Sequence, residues 1–299
     1  MTFNFMKKSR CALIWMAGAA LLTAGGVGAE DFFDIPAADL PSSATLAGGG
    51  DALGSRDVTF QMDFGVPSGT RIRGGYSSAR IDSDSINYLA QSYWAGLNSD
   101  PLAPFSYGAN YEIKKRDDGI RSSAAKANLR WQLNRWRLAV YPEFRWLTLK
   151  KTFVTQNNKM RSAEVAVRSP GVGAAVTYTG LARWSFALRH FVYRYAADVQ
   201  ILRSNRVSTR PIASRIDYSF DTSRSGVSVD YLPSWGSVGV DATHNESAID
   251  NGFAQSAAVN LSWDVSRAWS VFASAGHSRG KDIAASNFAS AGATWTWDD

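Results

Sequence analysis

The sequence predicts an all-β chain, a transmembrane antiparallel β-barrel laid out as an up-and-down meander of about fourteen strands, with twelve as the alternative. Three observations predict it. Apolar and polar residues alternate with a period of two, strand-like segments recur to the C-terminus between short turns, and tryptophans gather at strand ends. The 299 residues are 45% hydrophobic, yet mean hydropathy is only −0.19, so the apolar residues are interspersed. Beyond the N-terminus no run approaches the ~18 apolar residues of a spanning helix, which excludes a polytopic helical membrane protein. With 12% aromatic and 19% charged residues, a disordered or coiled-coil chain is also excluded.

The N-terminus is a separate matter. Lys7, Lys8 and Arg10 precede the apolar, small-residue stretch Cys11–Gly26, and Val27-Gly28-Ala29 supplies small residues before Glu30. Residues 1–29 therefore read as a cleaved secretory signal peptide. Cys11 is the single cysteine, so the exported chain has no disulfide and no lipid-anchoring cysteine. Residues 30–56 carry Glu30, Asp31, Asp34, Asp39 and Asp51, two prolines, the run Gly48-Gly49-Gly50 and one base, Arg56. They are expected to form an acidic, flexible leader that could dock a periplasmic partner. The barrel is assigned to 57–299.

From Asp57 onward each strand can be justified in turn. Val58, Phe60, Met62 and Phe64 alternate with Thr59, Gln61, Asp63 and Gly65; Phe105, Tyr107, Ala109, Tyr111 and Ile113 with Ser106 to Lys114. Ala127, Leu129, Trp131 and Leu133 alternate with Lys126 to Gln132, and Val259 to Val265 with Asn260 to Asp264. After Trp184, Phe186 and Leu188 the period slips by one to Phe191, Tyr193 and Tyr195, which predicts a bulge near His190. The expected strands are 58–66, 69–81, 84–96, 104–116, 121–133, 136–152, 161–179, 183–198, 211–220, 225–233, 236–246, 252–265, 268–280 and 286–297. Placing every tryptophan-flanked turn on one side of the membrane demands an odd number, whereas such barrels are even. One strand is therefore misplaced, and the weakest stretch is 211–233, where Pro211 and an Asp221–Ser225 turn could belong to a large loop.

A soluble sandwich also alternates. Full charges in mid-strand and an aromatic girdle favour the membrane barrel: Trp131 and Trp136 flank one turn, Trp263 and Trp269 another, and Trp184, Trp235 and Trp295 stand at further strand ends. On these residues the stretch 57–299 resembles the general class of Gram-negative outer-membrane β-barrels and porins. That resemblance implies an outer-membrane location, outer-membrane lipid and lipopolysaccharide as surroundings, and transport through a channel. One departure is the end of the chain, where Trp295 and Trp297 precede Asp298-Asp299 in place of a terminal aromatic residue.

Charge is unevenly spread. Residues 114–215 hold 21 Lys and Arg against 5 Asp and Glu, whereas 57–113 hold 3 against 6 and 216–299 hold 4 against 10. Strand parity turns Lys114, Lys126, Arg130, Arg137, Arg145, Arg183, Arg189 and Arg194 inward as a basic arc. Asp63, Glu112, Asp217, Asp230, Asp241 and Asp264 turn inward as an opposed acidic arc. Such a lining would concentrate anions in a pore, while the same charges could instead pair and close a narrow lumen. Bases beside the expected loops (Lys150, Lys151, Lys159, Arg161, Arg203, Arg206 and Arg210) would meet lipopolysaccharide phosphates if those loops are extracellular.

Catalytic candidates are few. His277 and Ser278 are adjacent in a strand and so point to opposite faces; His244 has outward parity, and no metal-ligand spacing or phosphate loop is present. Aromatics and bases fall on opposite faces, which leaves no nucleic-acid surface. No cofactor, metal or catalytic residue is expected. The sequence favours a passive channel for small hydrophilic, anionic solutes. The alternatives are an export partner of an envelope assembly, for example for an anionic exopolysaccharide, and a lipid-modifying enzyme.

Overall fold

A computed structural model describes residues 42–66, 70–83, 86–99, 103–117, 119–154, 160–196, 221–248, 252–280 and 283–297. Its elements are all strands: β1 (Ser42–Asp51), β2 (Arg56–Val66), β3 (Thr70–Ser83), β4 (Ile86–Asn98) and β5 (Phe105–Arg116). There follow β6 (Ile120–Leu133), β7 (Trp136–Val154), β8 (Met160–Tyr178), β9 (Trp184–Tyr193) and β10 (Asp221–Tyr231). The last four are β11 (Gly236–Ser247), β12 (Phe253–Asp264), β13 (Trp269–Gly280) and β14 (Ile283–Trp297). Every neighbour pair is antiparallel, and β1 closes on β14 from Ser42↔Trp297 to Asp51↔Phe288. The barrel is a fourteen-stranded meander; the twelve-strand alternative is excluded.

The burial pattern is that of a soluble protein turned inside out. Leu188 is 62% exposed and Val259 55%, while Asp63 and Glu112 are 2% exposed. The apolar parity faces outward, as a hydrocarbon surround requires, and the polar parity faces the lumen.

Three expectations are corrected. First, the leader assigned to 30–56 contains a strand of the barrel, β1. Its Gly48-Gly49-Gly50 run has no side chains to show a period, but its backbone is paired to β2 on one side and β14 on the other. The carboxylate of Asp51 then accepts from the N–H of Leu53 (2.9 Å) and of Ser55 (3.0 Å), closing the β1–β2 turn. Second, Asp221–Ser225 is not a turn but the start of β10, with a register shift between Asp221 and Ser223. The expected strand 211–220, like residues 1–41 with the signal peptide, lies outside the described residues. Exchanging 211–220 for β1 keeps the count even. It also brings the tryptophan-flanked turns, which all join an even strand to the next odd one, to one rim (the tryptophan rim) together with Ser42 and Trp297.

Third, no bulge interrupts β9. Its pairing runs in unbroken register from Trp184 to Val192 with β10 and from Phe186 to Tyr193 with β8. Phe191 and Tyr193 therefore share the inward parity of Arg189, and His190 and Val192 face outward. The apolar period shifts there because Phe191 and Tyr193 are lumen-facing aromatics.

Candidate functional site: the charged lumen

The tryptophan rim is built as the strand-end pattern suggested. Trp131, Trp136, Trp184, Trp235, Trp263, Trp269 and Trp295 all stand exposed there. They interlock with other rings: Phe105–Trp131 centroids are 5.4 Å apart, Trp136–Tyr178 4.6 Å and Trp184–Tyr231 5.0 Å. Indole rings with one apolar and one polar edge suit a membrane–water boundary.

Inside, the bases and acids are not simply opposed. Asp63 on β2 binds both Arg71 and Arg73 of β3, the latter through Arg73 Nη2 at 3.0 Å. Glu112 on β5 accepts from Ser92 Oγ (2.8 Å) and Lys126 Nζ (2.8 Å), and Lys114 Nζ stands 3.2 Å away. Glu143 on β7 accepts from Arg145 and, at 3.0 Å, from the Tyr193 hydroxyl, whose ring lies 3.7 Å beneath the Arg145 guanidinium. Each carboxylate thus sits among the bases. Asp63 and Glu112 belong to the basic side of the lumen and not to the opposed acidic arc, because β2 and β5 flank and interrupt the basic strands.

The other expected residues divide as follows. Lys114, Lys126, Arg130, Arg137, Arg145 and Arg189 face inward. Arg189 lies over Gly226 and Asp230 over Gly239, where any Cβ would collide with the side chain. Asp230, Asp241 and Asp264 line the far wall on β10–β12, and Asn260 Nδ2 donates to Asp241 at 2.6 Å. Arg183 is not in the lumen: it occupies the β8–β9 turn with φ 66° and is exposed. Arg194 faces outward, a direct consequence of the unbroken register of β9. Asp217, Lys159, Arg203, Arg206 and Arg210 lie outside the described residues, as do the side chains of Lys150, Lys151 and Arg161.

Several lumen groups were missed. Arg71 and Arg73 flank Ile72, the usual alternation, but Gly74-Gly75 cut the pattern short. Glu143 hides between Pro142 and Phe144. Trp94 is 5% exposed and fills the space left by Gly75, its cross-strand partner on β3. With Tyr88, Tyr193, Phe272 and Phe288 it supplies apolar bulk to the lumen. Apart from Phe272 and Phe288, the wall formed by β12–β14 and β1 carries small buried groups such as Ser262, Ser274, Ser278, Thr294 and Thr45, the last two joined at 3.0 Å. Arg73, Asp63 and Glu112 are no more than 3% exposed, so on this side of the lumen the paired side chains cover one another.

His277 faces outward and Ser278 inward, as adjacent strand residues must. His190 Nδ1 lies 2.9 Å from Ser225 Oγ on the outward face of β9–β10, a pair thirty-five residues apart that no local motif announces. Both belong to the β9–β10 ladder, whose backbone N–H groups are committed to strand pairing.

No protein-family model and no curated protein matches the chain. Solved structures do. A FadL homologue of Pseudomonas aeruginosa is 10% identical, with 94% of this chain and 97% of that one covered and a TM-score of 0.57. Outer-membrane-expressed OmpT of Vibrio cholerae (9% identity, 86% and 97% covered, TM-score 0.48) and the KdgM porin (9%, 85% and 99%, 0.43) are also similar. At such identities the likeness concerns the fold: this chain has the fold of the outer-membrane β-barrel proteins.

Proposed function

We propose that the protein is an outer-membrane conduit for small hydrophilic solutes, with a preference for anions. One observation carries the reading: on β3–β9 the inward parity bears Arg71, Arg73, Lys114, Arg116, Lys126, Arg130, Arg137, Arg145 and Arg189 against Glu112 and Glu143, behind an apolar outer face. A basic wall in a low-dielectric shell raises the local concentration of anions. No step of bond chemistry is needed, and the residues lining the lumen bind and steer only. The pairs around Asp63, Glu112 and Glu143 neutralise part of this charge and hold those side chains against the wall. Reconstitution of the purified, folded protein in planar bilayers tests this. Discrete conductance with a reversal potential favouring chloride over potassium is expected; folded protein without channel events would sink the proposal.

The burial of those pairs favours a second reading, in which the barrel is the membrane partner of an export assembly and opens only when that assembly engages it. Under this reading the acidic segment before β1 would meet the periplasmic partner. Conductance that appears only on adding such a partner would separate the two.

A further inference from the structure

Four strongly basic side chains point away from the lumen near the rim opposite the tryptophans. Lys115 and Arg121 are direct cross-strand partners of β5 and β6, and both are exposed. Like charges placed directly opposite one another repel, so a bound anion would stabilise this pairing. On the neighbouring hairpin Arg194 donates its N–H to the carbonyl of Pro170 (2.9 Å), which makes Arg168, two residues earlier, its diagonal neighbour. Arg168 and Arg194 are exposed as well. Only β7 separates the two pairs, with Thr148 opposite Arg121 and Trp146 opposite Arg168. At ~4.8 Å per strand the four bases span on the order of 20 Å.

Among the described residues none of the four forms an ion pair. The acid nearest along the chain, Asp117, lies in the turn beyond Arg116. Lumen bases of the same part of the wall behave differently: Lys114 on β5, Lys126 on β6 and Arg145 on β7 all hold carboxylates. Toward the tryptophan rim the outward face turns apolar with Tyr111, Ile113 and Phe144, while Trp146, beside Arg168, packs its ring 4.5 Å from that of Phe144. The surface is amphipathic across one step of the strand, bases above and rings below.

We propose that this outward face of β5–β9 binds a phosphorylated lipid of the surrounding leaflet, its phosphates held by Lys115, Arg121, Arg168 and Arg194 and its acyl chains lying on the ring shelf. Guanidinium groups take phosphate oxygens through paired, charge-assisted hydrogen bonds, and the apolar shelf selects a lipid over a free phosphate ion. The proposal rests on the barrel's place in the outer membrane and not on conduction. A protein that binds the lipid but passes no ions would keep this proposal and remove the conduit reading.

The full chain in detergent micelles, titrated with bis-phosphorylated lipid A and followed by native mass spectrometry, provides the test. The parent should retain lipid A. Dephosphorylated lipid A should not be retained, and inorganic phosphate should not compete. Replacing all four bases by glutamine should weaken retention by about tenfold or more; exchanging Arg135 and Arg267, exposed in turns of the other rim, should change nothing. If the fourfold variant does not fold, as judged by heat-modifiable migration, the two pairs K115Q/R121Q and R168Q/R194Q serve separately, each with a severalfold loss expected. Undiminished retention in folded variants, or equal retention of the dephosphorylated lipid, would overturn the proposal.

Discussion

Lys126 Nζ lies 2.8 Å from Glu112 Oε2 across the β5–β6 hairpin, and the two side chains are only 6% and 2% exposed. Removing charges from water is expensive, so such a pair is stable only while both partners are present. Glu112 also serves Ser92 and Lys114, and its loss strands more than one group. Glu112→Ala should therefore destabilise the folded barrel by about 3–5 kcal/mol. The double change Glu112→Met with Lys126→Met should recover part of that loss, because the better buried of the two lysines goes with the carboxylate and only the less buried Lys114 is left without it. Urea unfolding in lipid vesicles measures both, and additive costs would show that the pair is not energetically coupled.

The outward parity makes a depth-dependent prediction. Val259, central in β12 and 55% exposed, faces the middle of the apolar band. Val259→Arg should cost about 2–4 kcal/mol, and Leu129→Arg, two residues from Trp131 and the boundary, about 0–1 kcal/mol. Leu129→Ala should be milder still. Equal costs at the two sites in vesicle unfolding would mean that the tryptophans do not mark the edge of the band.

Strand β1 is an obligatory part of the wall. Deleting residues 42–51 would leave β2 and β14 with unpaired edges inside a hydrocarbon surround, where no water can satisfy them. The deletion should abolish heat-modifiable migration and membrane insertion. Recovery of a folded, heat-modifiable species would show that thirteen strands can close without it.

How much was legible follows from which signals were local. Strand alternation and the tryptophan positions are properties of single segments, and so the barrel and its tryptophan girdle could be read from the sequence, whereas the even strand count came from the general rule for such barrels and not from any segment. Gly48-Gly49-Gly50 defeated that reading because a strand without side chains has no period; its identity comes from β2 and β14, far away in sequence. Phe191 and Tyr193 defeated it differently, since the rule that apolar means lipid-facing fails for aromatics that fill a lumen and hold an arginine–glutamate pair. Parity did recover most lumen bases, but the partners that neutralise them, such as Asp63 for Arg71 and Arg73, depend on strand register.

The charge pairs also decide which substitutions can probe selectivity. Arg145 is bound to Glu143 and packed on Tyr193, so Arg145→Glu would bury two carboxylates together and is expected to damage folding. Arg130, Arg137 and Arg189 lie on neighbouring inward faces of β6, β7 and β9, with Arg137 Nε 3.3 Å from the neutral Gln132. Their potentials add along one side of the lumen. Changing Arg130 and Arg137 to glutamate and Arg189, whose charge acts on the neighbouring Asp230, to glutamine should reverse a chloride preference and leave the barrel assembled, because lumen substitutions tune selectivity more than stability. The parent's preference should weaken in 1 M salt, where the Debye length is ~3 Å against ~10 Å at 0.1 M and wall charges scarcely reach the centre. Reversal potentials in planar bilayers at both salt levels check each expectation. A triple variant that folds, conducts and still prefers chloride would place the selecting charge elsewhere, with Arg71 and Arg73 beside Asp63 the next residues to exchange.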